Sequence, residues 1–490
     1  MLPDDVLLVI FDFCADEDEL YKEEIEAWQT LVHVCRRWRG VVFGSPRRLN
    51  LRLVCGAKTP ARDKLDVWPA LPLFIRCFSG IGTENVDNIV AVLQHSNRVC
   101  RIELEVSSSD FENILAAMQV PFPELTHLEF RSNEKTEPVL PLPDSFLGGS
   151  GPRLRSISFH GIPLPGLPNL LLSATHLTDL RLLDIPHSGY FSPETMITAL
   201  SRSPSLQFLW LEFESPRSCP DQATRRPPLP TCLVLPVLKQ FSFKGVGEYL
   251  EDFVARIDAP RLFYLYMTFF NQITFDTPQL VQFISRTPTL KLLKKVRVIF
   301  DAGAARVELG SRAAGYGYLG FLKVIQVKVP CKELDWQISA LEQICTLCLP
   351  PLSMLEDLYI SEHETWQPHW QDNIENTLWL DLLHPFTGVK NIYLSEEFAR
   401  RIVPALKELV EGRVTEVLPA LENIFLEELE LSGTVWEGIE QFVATRQVLS
   451  HPVTVSRWDR SFPSVTNSGG RRDKVPRGRR LRNAPRDLPR

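Results

Sequence analysis

The chain has 490 residues, 44% of them hydrophobic and 23% charged, with a formal net charge of −7. That length excludes one ordinary compact core in favour of several domains or a repeat array, and the negative balance argues against nucleic-acid binding by the whole protein. No run approaches the roughly 20 apolar residues a membrane-spanning helix needs, so no membrane association is expected.

The opening residues Met1 to Asp5 carry no basic group ahead of the apolar ones, unlike a signal peptide. The ten cysteines are scattered, as expected for reduced thiols of an intracellular protein, cytoplasmic or nuclear or both. A first helix is expected over Pro3 to Phe13. Pro3 suits the first helical position, Asp4 and Asp5 complement the macrodipole, and Val6, Leu7, Ile10 and Phe11 make an apolar stripe. A second is expected from about Ile25 to Cys35, with Trp28, Leu31, Val32 and Cys35 on one face. Arg36-Arg37-Trp38-Arg39 leads to Val42 and Phe43, and Gly44-Ser45-Pro46 stops the unit.

Leu2-Pro3-Asp4-Asp5-x-Leu7-Leu8-x-Ile10-Phe11, followed by Leu31-x-x-Val34-Cys35-Arg36-Arg37-Trp38 and Ser45-Pro46, resembles an F-box. The resemblance implies three helices that insert apolar side chains into a Skp-type adaptor of a cullin–RING ubiquitin ligase. Carried over by motif, the adaptor contacts would be Leu2, Pro3, Leu7, Ile10, Val34 and Trp38. Where the family usually has a short turn, this chain has the strongly acidic segment Ala15 to Gln29, which leaves the docking geometry open. The alternative is that Trp38 and its neighbours form only the core of a small helical cap.

From Val99 a phrase recurs, Leu-x-x-apolar-x-apolar: Val99-Cys-Arg-Ile102-Glu-Leu104, then copies from Leu125, Leu154, Leu177, Leu206, Leu238, Leu262, Leu290, Leu322, Leu355, Val389 and Leu421. The Leu290 copy is blurred, because Leu293-Lys-Lys-Val296-Arg-Val298 fits as well. Successive starts lie 23 to 34 residues apart. The alternation reads as a strand with one buried face. Helix-like stretches such as 83–94, 192–201, 249–257, 279–285, 334–347 and 396–410 separate the phrases. The pattern resembles a degenerate leucine-rich-repeat array, although the longer spacings reach beyond the usual range and the asparagine after the strand is missing. The expected fold class is α/β: a three-helix F-box-like unit at 1–50, a connector at 51–82, an irregular solenoid of about twelve repeats at 83–450, and a basic disordered tail at 451–490. The sheet would line the concave side and helices the convex side. The competing reading is an ordinary α/β domain with coincidental repeats.

If the leucines point inward, the exposed strand positions are Phe208, Trp210 and Glu212, then Gln240, Ser242 and Lys244, then Tyr264, Tyr266 and Thr268. The aromatic residues among them would form a patch of the kind enriched at binding hot spots, so Phe208, Trp210, Glu212, Tyr264 and Tyr266 are the candidate contacts for a client protein. A register slip of one residue would bury those rings instead. Residues 214–230 interrupt the array as a Pro- and Arg-rich loop that could overhang this surface.

Motifs for chemistry fail on context. Gly315-Tyr-Gly317-Tyr-Leu-Gly320 is followed by a β-like run where a dinucleotide site needs a helix N-terminus. Cys345 and Cys348 end an apolar helix without a second pair, and Pro368 breaks the helix that a zinc-protease reading of His363 and His369 requires. No cofactor, metal or catalytic residue is expected. Residues 461–490 hold nine basic and two acidic groups, leaving about −14 for residues 1–460. Only that tail offers a nuclear-import or nucleic-acid patch. The expected function is a non-catalytic substrate receptor of an SCF-type ubiquitin ligase, with unknown client. The alternative is a leucine-rich-repeat interaction scaffold uncoupled from any ligase.

Overall fold

The computed structural model describes residues 2–14, 27–46, 48–56, 60–78, 83–132, 141–165, 167–216, 232–270, 275–291, 293–312, 321–363, 370–371, 374–409, 415–427 and 433–458. Met1–Trp458 form one compact unit. The basic segment after Trp458 lies outside the described residues.

Three short helices come first: α1 (Asp4–Cys14), α2 (Ala27–Val34) and α3 (Arg36–Gly44). Asp4 and Asp5 sit in the first turn of α1, where exposed backbone N–H groups favour negative charge. The Cys35 sulfur accepts from the backbone N–H of Trp38 and so caps α3. Leu7, Leu8, Phe11, Trp28, Leu31, Val32 and Val42 fill the space between the helices.

The chain then lays down strand after strand. The first seven are β1 (Leu53–Cys55), β2 (Leu73–Cys77), β3 (Val99–Val106), β4 (His127–Ser132), β5 (Ser156–His160), β6 (Asp179–Ile185) and β7 (Phe208–Phe213). Next come β8 (Leu233–Val234), β9 (Gln240–Gly245), β10 (Ile257–Asp258) and β11 (Tyr264–Phe269). Of these, β9 and β11 continue the sheet, while β8 and β10 pair with each other. The series ends with β12 (Lys295–Asp301), β13 (Ala304–Arg312), β14 (Phe321–Pro330), β15 (Asp357–Glu362), β16 (Asn391–Leu394), β17 (Asn423–Leu426) and β18 (Thr454–Arg457).

Between the strands run α4 (Ala61–Val67), α5 (Thr83–Leu93), α6 (Ser108–Ala117), α7 (Leu167–Ser173), α8 (Pro193–Leu200), α9 (Gly247–Val254), α10 (Pro278–Arg286), α11 (Leu334–Gln343), α12 (Asn376–Leu383), α13 (Glu396–Lys407) and α14 (Gly433–Val448). Neighbours in this series pack on one another, as α4 on α5, α5 on α6, α8 on α9 and α13 on α14. The helices form a layer against the sheet.

The fold is thus an α/β solenoid with a single 16-stranded sheet. Leu209, Leu211 and Phe213 are buried toward the helices while Phe208, Trp210 and Glu212 between them are only half-buried. The register is the one in which the leucines point inward, and the one-residue slip is excluded. The same alternation holds at Leu128 and Phe130, Leu180 and Leu182, and Leu265 and Met267.

Three features depart from the sequence reading. The span 51–82 is more than a connector, because β1 pairs in parallel with β2 and β2 with β3; Leu73-Phe-Ile-Arg-Cys packs as a strand without the preceding Leu-x-x phrase. The repeat order also breaks between Leu262 and Leu355, where the sheet runs β11-β14-β13-β12-β15 with β13 antiparallel to both its neighbours. Only the turn at Ala302 and Gly303 separates β12 from β13, too few residues for the crossover that parallel strands need. The Leu293 phrase, not the Leu290 one, leads into β12, and Leu290 is the buried end of a 3₁₀ turn, Pro288–Leu290. Finally, the ordered chain passes residue 451: β18 pairs with β17, and Val453 and Trp458 are buried.

Candidate functional site

The helical head carries two apolar stripes on α1. Leu7, Leu8 and Phe11 face inward, and Leu7 is only 3% exposed. Val6, Val9, Ile10 and Phe13, at helical spacings of three, four and seven, face outward, with Phe13 78% exposed. Leu2, Pro3 and Val34 are exposed too, Val34 to 59%. Of the six residues implied as adaptor contacts, Leu2, Pro3, Ile10 and Val34 are accessible. Trp38 is half-buried with its ring centroid 4.9 Å from that of Phe11. Leu7 is a correction: it belongs to the head's own core, because a three-helix unit this small must bury one face of α1 to hold together. The one stripe expected of Val6, Leu7, Ile10 and Phe11 splits in two: Leu7 and Phe11 pack inward, while Val6 and Ile10 face out with Val9 and Phe13. The spacing did not single out Val9 and Phe13; the signal was an apolar content too high for one stripe. Arg37 fastens the entry to α1, its Nε donating to the Asp4 carboxylate at 3.1 Å and a terminal nitrogen to the Leu2 carbonyl.

The head is not a separate body. The Trp28 ring lies 5.2 Å from Trp68 and 6.0 Å from Phe43 in edge-on contact, and one continuous apolar core runs from Leu7 into the sheet.

On the sheet face away from the helices, register brings the remaining candidates together. Phe208, Gln240 and Tyr264 share one row, and Trp210, Ser242 and Tyr266 the next. The Phe208 and Trp210 rings are near-parallel at 5.9 Å, as are Tyr264 and Tyr266 at 6.2 Å. Arg181 of β6 lies over the Trp210 ring at 4.3 Å while bonded to Asp179. Glu212 accepts from the Ser242 hydroxyl at 3.3 Å, and burial raises its pKa. Burial likewise pushes Tyr266 up to about 12. Beside Glu212, Asp184 sits in a bulge of β6 at φ 47°. It accepts from His160 and Lys244, each at 2.7 Å, and those bonds, His160's foremost, hold its carboxyl far below the usual range. Asp184 reached this face through a backbone irregularity that alternation does not foretell.

Further along the same row stand Tyr359, Tyr393 and Phe425, in register on β15, β16 and β17. Their rings stack at 4.2 and 4.5 Å, and Trp458 packs edge-on against the two tyrosines. Beneath them runs a polar ladder in which Asn391 donates to Asp357 at 2.7 Å and Asn423 to Asn391 at 2.8 Å. The sequence reading passed over these rings, yet a signal was present: they fill the same position of the repeat phrase as Trp210 and Tyr266, between its last two apolar residues.

Cys345 and Cys348 are buried, and desolvation pushes both thiols up, Cys348 to about 12. Among the described residues no group of three or more His, Cys, Asp or Glu side chains is placed to hold a metal ion, and no helix is long and apolar enough to cross a membrane. The glycine-rich run at 315–320, most of the loop at 214–230 and the acidic segment 15–26 lie outside the described residues.

No family model matches the chain, and no curated protein does either. Among solved structures it is similar to the leucine-rich repeat-containing protein LegL7 of Legionella pneumophila, at 11% identity and a TM-score of 0.26, over 80% of this chain and 97% of that one. The repeat architecture rests on the strand register and helix layering described above.

Proposed function

We propose that this chain is a non-catalytic substrate-recognition subunit of an SCF-type ubiquitin ligase. Its head docks a Skp-type adaptor and its open sheet face holds a client protein. The observation that supports docking is the second apolar stripe of α1. A helix that has already buried one stripe gains nothing within its own fold from Val6, Val9, Ile10 and Phe13, whereas burial against a partner contributes on the order of 1 kcal/mol or more per side chain. Leu2 and Val34 are exposed as well, and the F-box-like spacing of the first fifty residues supports a Skp-type adaptor as the partner.

The mechanism is proximity. Head and sheet share a core, so a client gripped by the sheet is held at a fixed distance from whatever the head binds, and its effective concentration there rises. Bond-making is left to other subunits.

Co-expression with a Skp-type adaptor and size-exclusion chromatography test the reading. The wild-type chain should co-elute with the adaptor, and Ile10→Asp with Phe13→Asp should weaken retention at least tenfold. Both positions are exposed, so the fold should survive. No co-elution, or equal retention by the double variant, would leave the leucine-rich-repeat scaffold uncoupled from a ligase as the better reading.

A further inference from the structure

Strand β9 turns Gln240, Ser242 and Lys244 to the open face between two aromatic walls, and of the three only Ser242 is short. Phe208 and Trp210 stand on one side, Tyr264 and Tyr266 on the other, and Ser242 between them is only 9% exposed although it lies on the open face. The walls are two strand steps apart, roughly 10 Å between backbones, which leaves a trough wide enough for one extended side chain. At its end lies the Glu212 carboxylate. We infer that this trough takes a cationic side chain, arginine or lysine, of the client protein, an inference that rests on the client-binding reading above.

The neighbouring charges carry the argument. Two cations border the trough, each bonded to a carboxylate: Lys244, which faces Glu212 in register, bonds Asp184 at 2.7 Å, and Arg181 bonds Asp179 at 3.0 Å. Glu212 accepts from the Ser242 hydroxyl at 3.3 Å and feels the attraction of Lys244, so that one lysine serves the two carboxylates Asp184 and Glu212. Desolvation already disfavours its charged form. An apolar side chain entering the trough would complete that desolvation without compensation, and an acidic one would add repulsion. A cation pairs with the carboxylate and meets the electron-rich faces of Trp210 and Tyr266. The site already tolerates such a contact, since the Arg181 guanidinium rests 4.3 Å from the Trp210 centroid.

The test uses the full chain and a phage-displayed random dodecapeptide library. Peptides selected on wild type but not on the Trp210→Ala, Tyr266→Ala double variant should share a basic position. In fluorescence anisotropy with a selected peptide, replacing that residue by citrulline or acetyl-lysine should weaken binding at least tenfold, and Glu212→Gln should do the same. The peptide-side change needs no altered protein, so misfolding of a variant cannot obscure the result. Selected peptides without a recurring basic residue, unchanged affinity after its neutralisation, or failure to select any peptide that depends on the two rings would each overturn the inference. Adaptor retention, measured on the same preparation, reports separately on the ligase reading.

Discussion

The indole N–H of Trp28 donates to the carbonyl of Arg52 at 3.1 Å, so a helix of the head is bonded to the chain just before the first strand of the sheet. Trp28 is 3% exposed and its ring is held by Trp68 and Phe43. Trp28→Ala should cost about 3–5 kcal/mol by leaving a large cavity, and Trp28→Phe about 1 kcal/mol by removing the indole hydrogen bond to the Arg52 carbonyl. Hydrogen exchange should show protection lost first at Leu53–Cys55. Full protection there in Trp28→Ala would mean that the head and sheet are not mechanically joined.

Gly388 marks a place where two turns of the solenoid touch through backbone. A Cβ there would lie 1.8 Å from the Ser353 carbonyl oxygen. Gly388→Ala should therefore destabilise by roughly 2–4 kcal/mol, whereas Gly303→Ala, which meets nothing within 4 Å, should change stability by less than about 0.5–1 kcal/mol. Urea midpoints of the two variants give the comparison.

The stack through Tyr393 makes a further case. Its ring has Tyr359 on one side and Phe425 on the other. Tyr393→Ala should lower stability by about 3 kcal/mol, while Tyr393→Phe, which keeps both ring contacts, should lose far less. Near-ultraviolet circular dichroism should report the loss of the ordered Trp458 environment in the alanine variant alone.

His127 links stability to pH. Burial, reinforced by Arg101, Arg155 and Arg52, lowers its pKa from 6.5 to about 4. Between those values the unfolded chain binds a proton that the folded chain refuses. The contribution of this residue is therefore complete above pH 6.5 and lost as pH falls toward 4. After allowance for solvent screening the loss amounts to about 1–2 kcal/mol. His127→Gln should flatten the change in urea midpoint between pH 7 and pH 4.5; an unaltered slope would place the sensitivity elsewhere.

Much of this protein was legible in the order of its residues. The period of the leucine phrase and its alternation decided which side chains go inward, because a strand has only two faces and one of them must be buried. That placed Phe208, Trp210, Tyr264 and Tyr266 on the open face unless the register slipped by one, a slip the burial of Leu209, Leu211 and Leu265 excludes. The spacing within Asp4 to Phe13 marked α1 as an amphipathic helix. What only the tertiary structure decided depends on partners distant in the chain. Leu7 and Ile10 look alike in sequence, yet one packs under α2 and α3 and the other faces out. The reversal β14-β13-β12 follows from a turn too short for a crossover, and Asp184 joins His160 and Lys244 through a bulge. The aromatic trough exists because three strands set Trp210, Ser242 and Tyr266 in register, a relation between residues distant in the chain that no local pattern encodes.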